Sequence, residues 1–315
     1  MNLSKLLIPK IYLLFAVVLL SSTLSMAQLN KDSTTSIQET NNLSYYKDQN
    51  LDSDLTQVNL ILPKGIKNPP VFMWIGGGAW AYVDRNKEME ICRKMAKQGI
   101  AVVSVGHRLS PALLWEPKKE EGIKHPEHVK DVAQAFKWVY ENADKYGYSK
   151  ENIFVGGFSS GAHLSALLAM DGKYLEVLGL SNKMIKGIIP VGGGYDIPLY
   201  RKSLVKEDST YDANHILPVF GTTHEEHVDA SPVTYIDKLI TPILMISEGE
   251  TYEYSSVFEQ RLKEKGYKNY QVLNAHNETH ASLWLNLRDE KESRYRNFIV
   301  DYIKAQSKVT KKGEK

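Results

Sequence analysis

The chain has 315 residues, 43% of them hydrophobic and 24% charged, with a formal net charge of +2. That is the balance of a globular protein long enough for one large α/β domain or two small ones, and it gives no electrostatic footing for nucleic acid or an anionic membrane as partner. Cys92 is the only cysteine, which excludes an intramolecular disulfide and suits a small apolar side chain buried on a helix.

Lys5 and Lys10 precede an apolar run from Ile11 to Leu20, and small residues ending in Ser25-Met26-Ala27 stand before Gln28. This pattern predicts a secretory signal peptide over residues 1–27, and hence a secreted or periplasmic protein. The run is too short for a comfortable membrane span, so no stable membrane insertion is expected after cleavage. Residues 28–50 are rich in Ser, Thr, Asn and Gln without an apolar period and predict a flexible leader. At the other end, the lysine-rich residues 307–315 predict a disordered tail.

From Thr56 onward the pattern alternates strand and helix. Strands are predicted over Val58–Leu62, Val71–Ile75, Ile100–Val105, Ile153–Val155, Ile185–Val191, Pro242–Ile246 and Tyr270–Leu273. Helices are predicted over Asn86–Gln98, His125–Tyr146, Ser159–Met170, Tyr252–Lys265 and Ser282–Ala305. The fold class is therefore α/β, one domain over residues 51–306, with a mostly parallel twisted sheet and helices on both faces. The segment Gly194–Thr241, with mixed charges, prolines and histidines, reads as a small insertion over the carboxyl edge of the sheet, where such folds keep their sites.

Gly157-Phe158-Ser159-Ser160-Gly161 follows a short apolar strand and opens a helix, which is the context a nucleophile elbow requires. A serine on so tight a turn needs small neighbours, and the helix beyond aims free N–H groups and its positive dipole end back at it. Ser159 is the candidate nucleophile. Its oxyanion hole is expected from the backbone N–H of Ser160 and from Gly77 and Gly78, in the glycine run that follows the Val71–Ile75 strand. The same run fits the dinucleotide fingerprint as Gly76-x-Gly78-x-x-Ala81, but the next strand ends in Ser104-Val105-Gly106-His107 without the carboxylate that fingerprint needs.

An acid and then a histidine should follow the serine, each after a late strand. The loop after Pro242–Ile246 offers Glu248, Glu250 and Glu253. The loop after the last strand offers His276 and His280, of which His280, just before the final helix, is the candidate base. Their spacing of four fixes no metal geometry in a loop, so no metal or cofactor is expected. His163 reads as a packed histidine, Arg108 and Asp131 as a buried ion pair, and Asp196 as non-catalytic. Trp80, Tyr82 and Tyr195 divide evenly between pocket lining and core. His224-Glu225-Glu226-His227 reads as solvated and without helical context.

The span Leu51–Ala305 resembles the α/β-hydrolase family, in its carboxylesterase and arylformamidase-like branch (BD-FAE-like). The resemblance rests on Gly76-Gly77-Gly78-Ala79-Trp80, on Arg108-Leu109-Ser110-Pro111, on His125-Pro126 with Asp131, and on Gly157 to His163. It implies an esterase with a Ser-His-acid triad. In relatives that cleave N-formyl aryl amides the acid opens a stretch of the type acid-x-x-Glu-aromatic; Glu250-Thr251-Tyr252-Glu253-Tyr254 matches it, which selects Glu250 as the acid. The chain departs from the family at Gly76, where a loop-holding histidine is usual, and at Gly106-His107. The expected function is an exported serine hydrolase of small-molecule carboxylic esters through Ser159, His280 and Glu250. The alternatives are an arylformamidase-like amidase and a catalytically inactive binding protein of the same fold.

Overall fold

A computed structural model of the chain describes residues 35–48, 50–111 and 121–308; the signal-peptide expectation, and all but the first two residues of the predicted tail, lie outside them. The short apolar runs become the strands of one eight-stranded sheet: β1 (Ile37–Ser44), β2 (Gln57–Pro63), β3 (Val71–Ile75), β4 (Ala101–Val105), β5 (Ile153–Phe158), β6 (Ile185–Val191), β7 (Ile243–Glu248) and β8 (Tyr270–Ala275). Their order is β1-β2-β4-β3-β5-β6-β7-β8. β1 and β2 run antiparallel to their neighbours, and β4 through β8 form the parallel body.

Strands buried on both faces need apolar residues at every position, and alternation divides those residues between two cores. Val71, Met73 and Ile75 pack with Val103, Val129, Phe136 and Leu167 on one side. Phe72 and Trp74 pack with Cys92, Phe154, Leu283 and Ile299 on the other. Cys92 is free and fully buried, as expected. β3 is followed in sequence by β4 on one flank and by β5 on the other, so the carboxyl ends of β3 and β5 border the point where connections leave in opposite directions. Ligands of open parallel sheets bind in that crevice.

Four expectations are corrected. Part of the predicted leader is β1, which pairs antiparallel with β2 from Ile37 opposite Pro63 to Ser44 opposite Gln57; an edge strand with much of its surface exposed needs no apolar period. The long helix breaks at Asn142 into Glu127–Glu141 and Ala143–Tyr146. The final helix is two, His280–Asp289 and Arg294–Ser307. The buried Arg296 enters the gap and donates to the carbonyls of Leu287, Glu290 and Lys291, satisfying acceptors at the end of the first helix. His224 to Asp229 is a helix, capped reciprocally by Thr223 and Glu226, with His227 buried and bonded to the Gly221 carbonyl at 3.0 Å.

The Arg108–Asp131 pair is as expected. Asp131 is fully buried, takes the Arg108 Nη2 at 2.7 Å and its backbone N–H at 2.9 Å, and accepts from the Tyr46 hydroxyl at 2.7 Å. Removing the acid strands Arg108 beside the sheet. Asp131→Ala is expected to lower the unfolding free energy by about 2 kcal/mol in urea titrations, since Arg108 and Tyr46 lose their buried acceptor while Arg108 keeps only Glu127 at 3.2 Å.

Candidate active site

Four glycines at the centre of the sheet explain the shape of the site. A Cβ on Gly157 or on Gly161 would run into the Ile75 carbonyl, and one on Gly156 into the Ile189 carbonyl. A Cβ on Gly77 would stand 2.9 Å from the Phe158 ring and 3.1 Å from the Ser159 Cβ. The elbow and the loop after β3 therefore press together backbone to backbone. Ser159 sits at φ 53°, ψ −115°, a conformation that costs a non-glycine residue on the order of 1–3 kcal/mol and is held by the packed turn around it. The loop from β3 shares this strain, with Ala79 at φ 49° and Trp80 at φ 58°.

Ser159, Ser160, Gly77, Gly78 and His280 line one cavity of about 990 Å³. His280 is the first residue of its helix, and its ring stacks on that of Phe158 with centroids 4.6 Å apart. Its Nδ1–H donates to Glu248 Oε1 at 2.6 Å. Glu248 is 1% exposed and also accepts from the backbone N–H and the hydroxyl of Thr251, both at 2.8 Å. Burial pushes its carboxyl up, but the bonds from His280 and Thr251 outweigh it and hold the group below the usual carboxylate range. Gly192 keeps this pair open to the sheet: a Cβ there would stand 3.2 Å from both the Glu248 carboxylate and the His280 ring.

The carboxylate on the imidazole is thus Glu248 and not Glu250. β7 runs two residues further than its apolar run suggests, ending at Glu248 itself, next to β8 at Ala275. Glu250 lies beyond that end, exposed, and reaches only the His280 backbone N–H, at 3.2 Å. Glu253 is also exposed and accepts from Ser203. The acid-x-x-Glu-aromatic stretch that singled out Glu250 is a resemblance in local sequence, whereas the hydrogen-bond partner of the His280 ring is set by the strand end.

The remaining side chains fall as the residues suggested. His276 is exposed, near the Tyr252 ring. Asp196 caps the helix Ile197–Glu207 by accepting from Leu199 N. Tyr195 is core, while Trp80 and Tyr82 line the cavity together with Tyr200 and His215 from the inserted segment. His163 takes the Trp80 indole N–H on Nδ1 at 3.3 Å and donates from Nε2 to the Ala230 carbonyl at 2.7 Å. Both bonds suit the neutral ring, and burial lowers its pKa to about 3.

One buried acid beside the cavity was not visible in the sequence. Glu88 lies 3% exposed beside the cavity, accepts the Trp74 indole N–H at 2.7 Å, and is pushed up to about 7 by burial. A Cβ on Gly76 would meet its Cγ at 2.8 Å, so Glu88 fills the space a side chain at position 76 would use. Among the described residues, no group of three His, Cys, Asp or Glu side chains is placed to hold a metal ion, and no helix is long and apolar enough to cross a membrane.

An elbow serine, a glycine-rich loop beside it and a histidine on a buried glutamate, all at the carboxyl edge of a mostly parallel sheet, are the arrangement of an α/β-hydrolase fold. The chain belongs to the BD-FAE family, whose model matches residues 58–257. It is 28% identical over 189 residues to esterase LipC of Mycobacterium tuberculosis, covering 57% of this chain and 44% of that one. It is 35% identical over 132 residues to the para-nitrobenzyl esterase of Bacillus subtilis, covering 41% of this chain and 27% of that one. The chain thus spans less than half the length of these curated relatives. Among solved structures, an inhibited esterase B from Lactobacillus rhamnosis superposes with a TM-score of 0.71 at 19% identity, covering 93% of this chain and 96% of that one. A truncated carbohydrate esterase from gut microbiota gives 0.67 at 20%, covering 88% and 99%.

The state of His163 yields a pH prediction. The unfolded imidazole takes up its proton near pH 6.5 and the folded one only near 3, so between those values the unfolded chain binds more protons and stability falls as pH falls. This residue alone contributes a slope of up to about 1.4 kcal/mol per pH unit within that window. His163→Gln, which keeps a donor for the Ala230 carbonyl, is expected to flatten the acid side of the stability curve between pH 6.5 and 4.5 in urea unfolding series.

Proposed function

We propose that the protein hydrolyses small-molecule carboxylic esters through a Ser159–His280–Glu248 triad and an acyl-enzyme. The observation that carries this reading is the 2.6 Å bond from His280 Nδ1 to the buried Glu248, with the ring lining the same cavity as Ser159. His280 Nε2 takes the proton of Ser159 as its oxygen attacks the ester carbonyl, and Glu248 fixes the tautomer and stabilises the imidazolium. The N–H groups of Gly77, Gly78 and Ser160 receive the oxyanion, each contributing on the order of 3 kcal/mol. His280 then protonates the departing alkoxide, and water repeats the attack on the acyl-serine. The esterases to which the chain is similar support this chemistry.

The arylformamidase-like alternative drew on the stretch opened by Glu250, and that carboxylate does not engage the imidazole. The alternative of an inactive binding protein drew on Gly76 and on the unusual acid loop. Against it stand Glu88, whose side chain fills the space beside Gly76, and Glu248, which accepts from the His280 ring. We further read the basic start and apolar run of residues 1–27 as an export signal, so that the enzyme meets its esters outside the cytoplasm. Removal of those residues is expected to retain the protein in the cytoplasmic fraction of a bacterial host.

Ser159→Ala is expected to abolish labelling by a fluorophosphonate probe and turnover of a short-chain nitrophenyl ester without loss of folded protein by circular dichroism. Undiminished labelling would refute the assignment. Glu248→Gln is expected to lower kcat by about 10³-fold or more, as loss of the orienting acid does in other triads, whereas Glu250→Gln stays within about 3-fold, since that side chain has no contact with the ring to lose. The reverse ranking would restore Glu250 as the acid.

A further inference from the structure

We propose that Glu88 is a positioning residue that locks the oxyanion loop to the helix carrying His280. The inference rests on the triad reading and adds a member that the triad logic does not require.

Three elements converge on this carboxylate. Trp74, in β3 two residues before Gly76, donates its indole N–H to Oε2 at 2.7 Å. Trp284, one turn beyond His280 in the helix His280–Asp289, lines the same cavity as Glu88 and is among the groups that favour its ionised form. The backbone at Gly76 lies against the side chain so closely that a Cβ there would stand 3.0 Å from the carboxyl carbon and from Oε1. Glu88 itself precedes the helix Met89–Ala96, whose Met89, Ile91 and Cys92 share a core with Leu283 and Leu287 of the histidine helix. Lys94 of that helix also donates to the Arg288 and Asp289 carbonyls at the far end of the histidine helix.

The two halves of the reaction are thus carried by elements joined through one buried group. Ser159 follows β5 and the acid ends β7, but the distance between oxyanion donors and base depends on how β3 sits against the helix of His280. Displacements of about 1 Å in such constellations can cost on the order of 10²-fold in rate. A carboxylate with two acceptor oxygens can receive two indole N–H groups at once, which no apolar side chain of that size can do. Glycine at 76 is then the condition for Glu88 to enter, so the two positions form one unit.

The test compares kcat and KM of Glu88→Gln, Glu88→Ala and Trp284→Phe on a nitrophenyl butyrate ester. Each kcat is expressed per active site titrated to completion with a fluorophosphonate, so that unfolded protein does not count. Glu88→Ala is expected to lose 30-fold or more in kcat with KM within 3-fold. Glu88→Gln keeps one acceptor oxygen and is expected to recover kcat to within about 5-fold. Trp284→Phe retains the ring and loses the N–H, and is expected to lose 5-fold or more in kcat; it carries the test if Glu88→Ala leaves no titratable sites. Unchanged kcat per site in Trp284→Phe and in every foldable Glu88 variant would overturn the role of Glu88 while leaving the triad standing. Wild-type turnover that survives Ser159→Ala would overturn both.

Discussion

The contact on which the site depends is made between backbones. The elbow after β5 lies so close to the end of β3 that no side chain fits between them, and Gly157 and Gly161 both face the Ile75 carbonyl. That contact sets the glycine loop after β3 beside the serine, where a Cβ on Gly77 would stand 3.1 Å from the Ser159 Cβ. Because β3 and β5 are the central pair of a sheet buried on both faces, neither can shift without disturbing both cores. The strain at Ser159, Ala79 and Trp80 is sustained by the same packing. Preorganised donors are effective in catalysis because they need no rearrangement as charge develops, and a backbone-to-backbone seam supplies that rigidity.

What was legible in the sequence is what this seam demands locally. A buried parallel strand must be apolar throughout, so β3, β4, β5 and β6 stand out as runs. An elbow must carry small residues around its serine, so Ser159, Gly77, Gly78 and Ser160 could be named from the chain alone as neighbours in one cavity. His280 followed from chain order. The parts that were not legible depend on contacts between distant segments. β1 is polar and is a strand because β2 offers it an edge. Arg296 separates the last two helices by reaching back to carbonyls that no local rule assigns to it. Glu248 and Glu250 are two residues apart, and the choice between them turns on where β7 ends, a matter of one more pair of bonds to β8. Sequence similarity to an acid-x-x-Glu-aromatic stretch pointed to the exposed residue, whereas burial beside the ring points to Glu248.

The exchange at Gly76 belongs to the same kind of information. Position 76 read as a defect when only the loop was considered, because a side chain that usually braces it is missing. Glu88, twelve residues on, enters the vacated space from another element. A buried acid is an expensive brace, since desolvation opposes its charge. Two features reduce that cost: the indole N–H of Trp74 compensates the charge that remains, and burial raises the carboxyl to about 7. Near neutral pH such a group carries less negative charge than an ordinary carboxylate. On the proposed mechanism that matters beside the glycine loop, where a permanent anion would oppose the charge assigned to Gly77 and Gly78. A neutral or half-charged acid can hold the loop without working against it, which a fully ionised carboxylate in the same place would do.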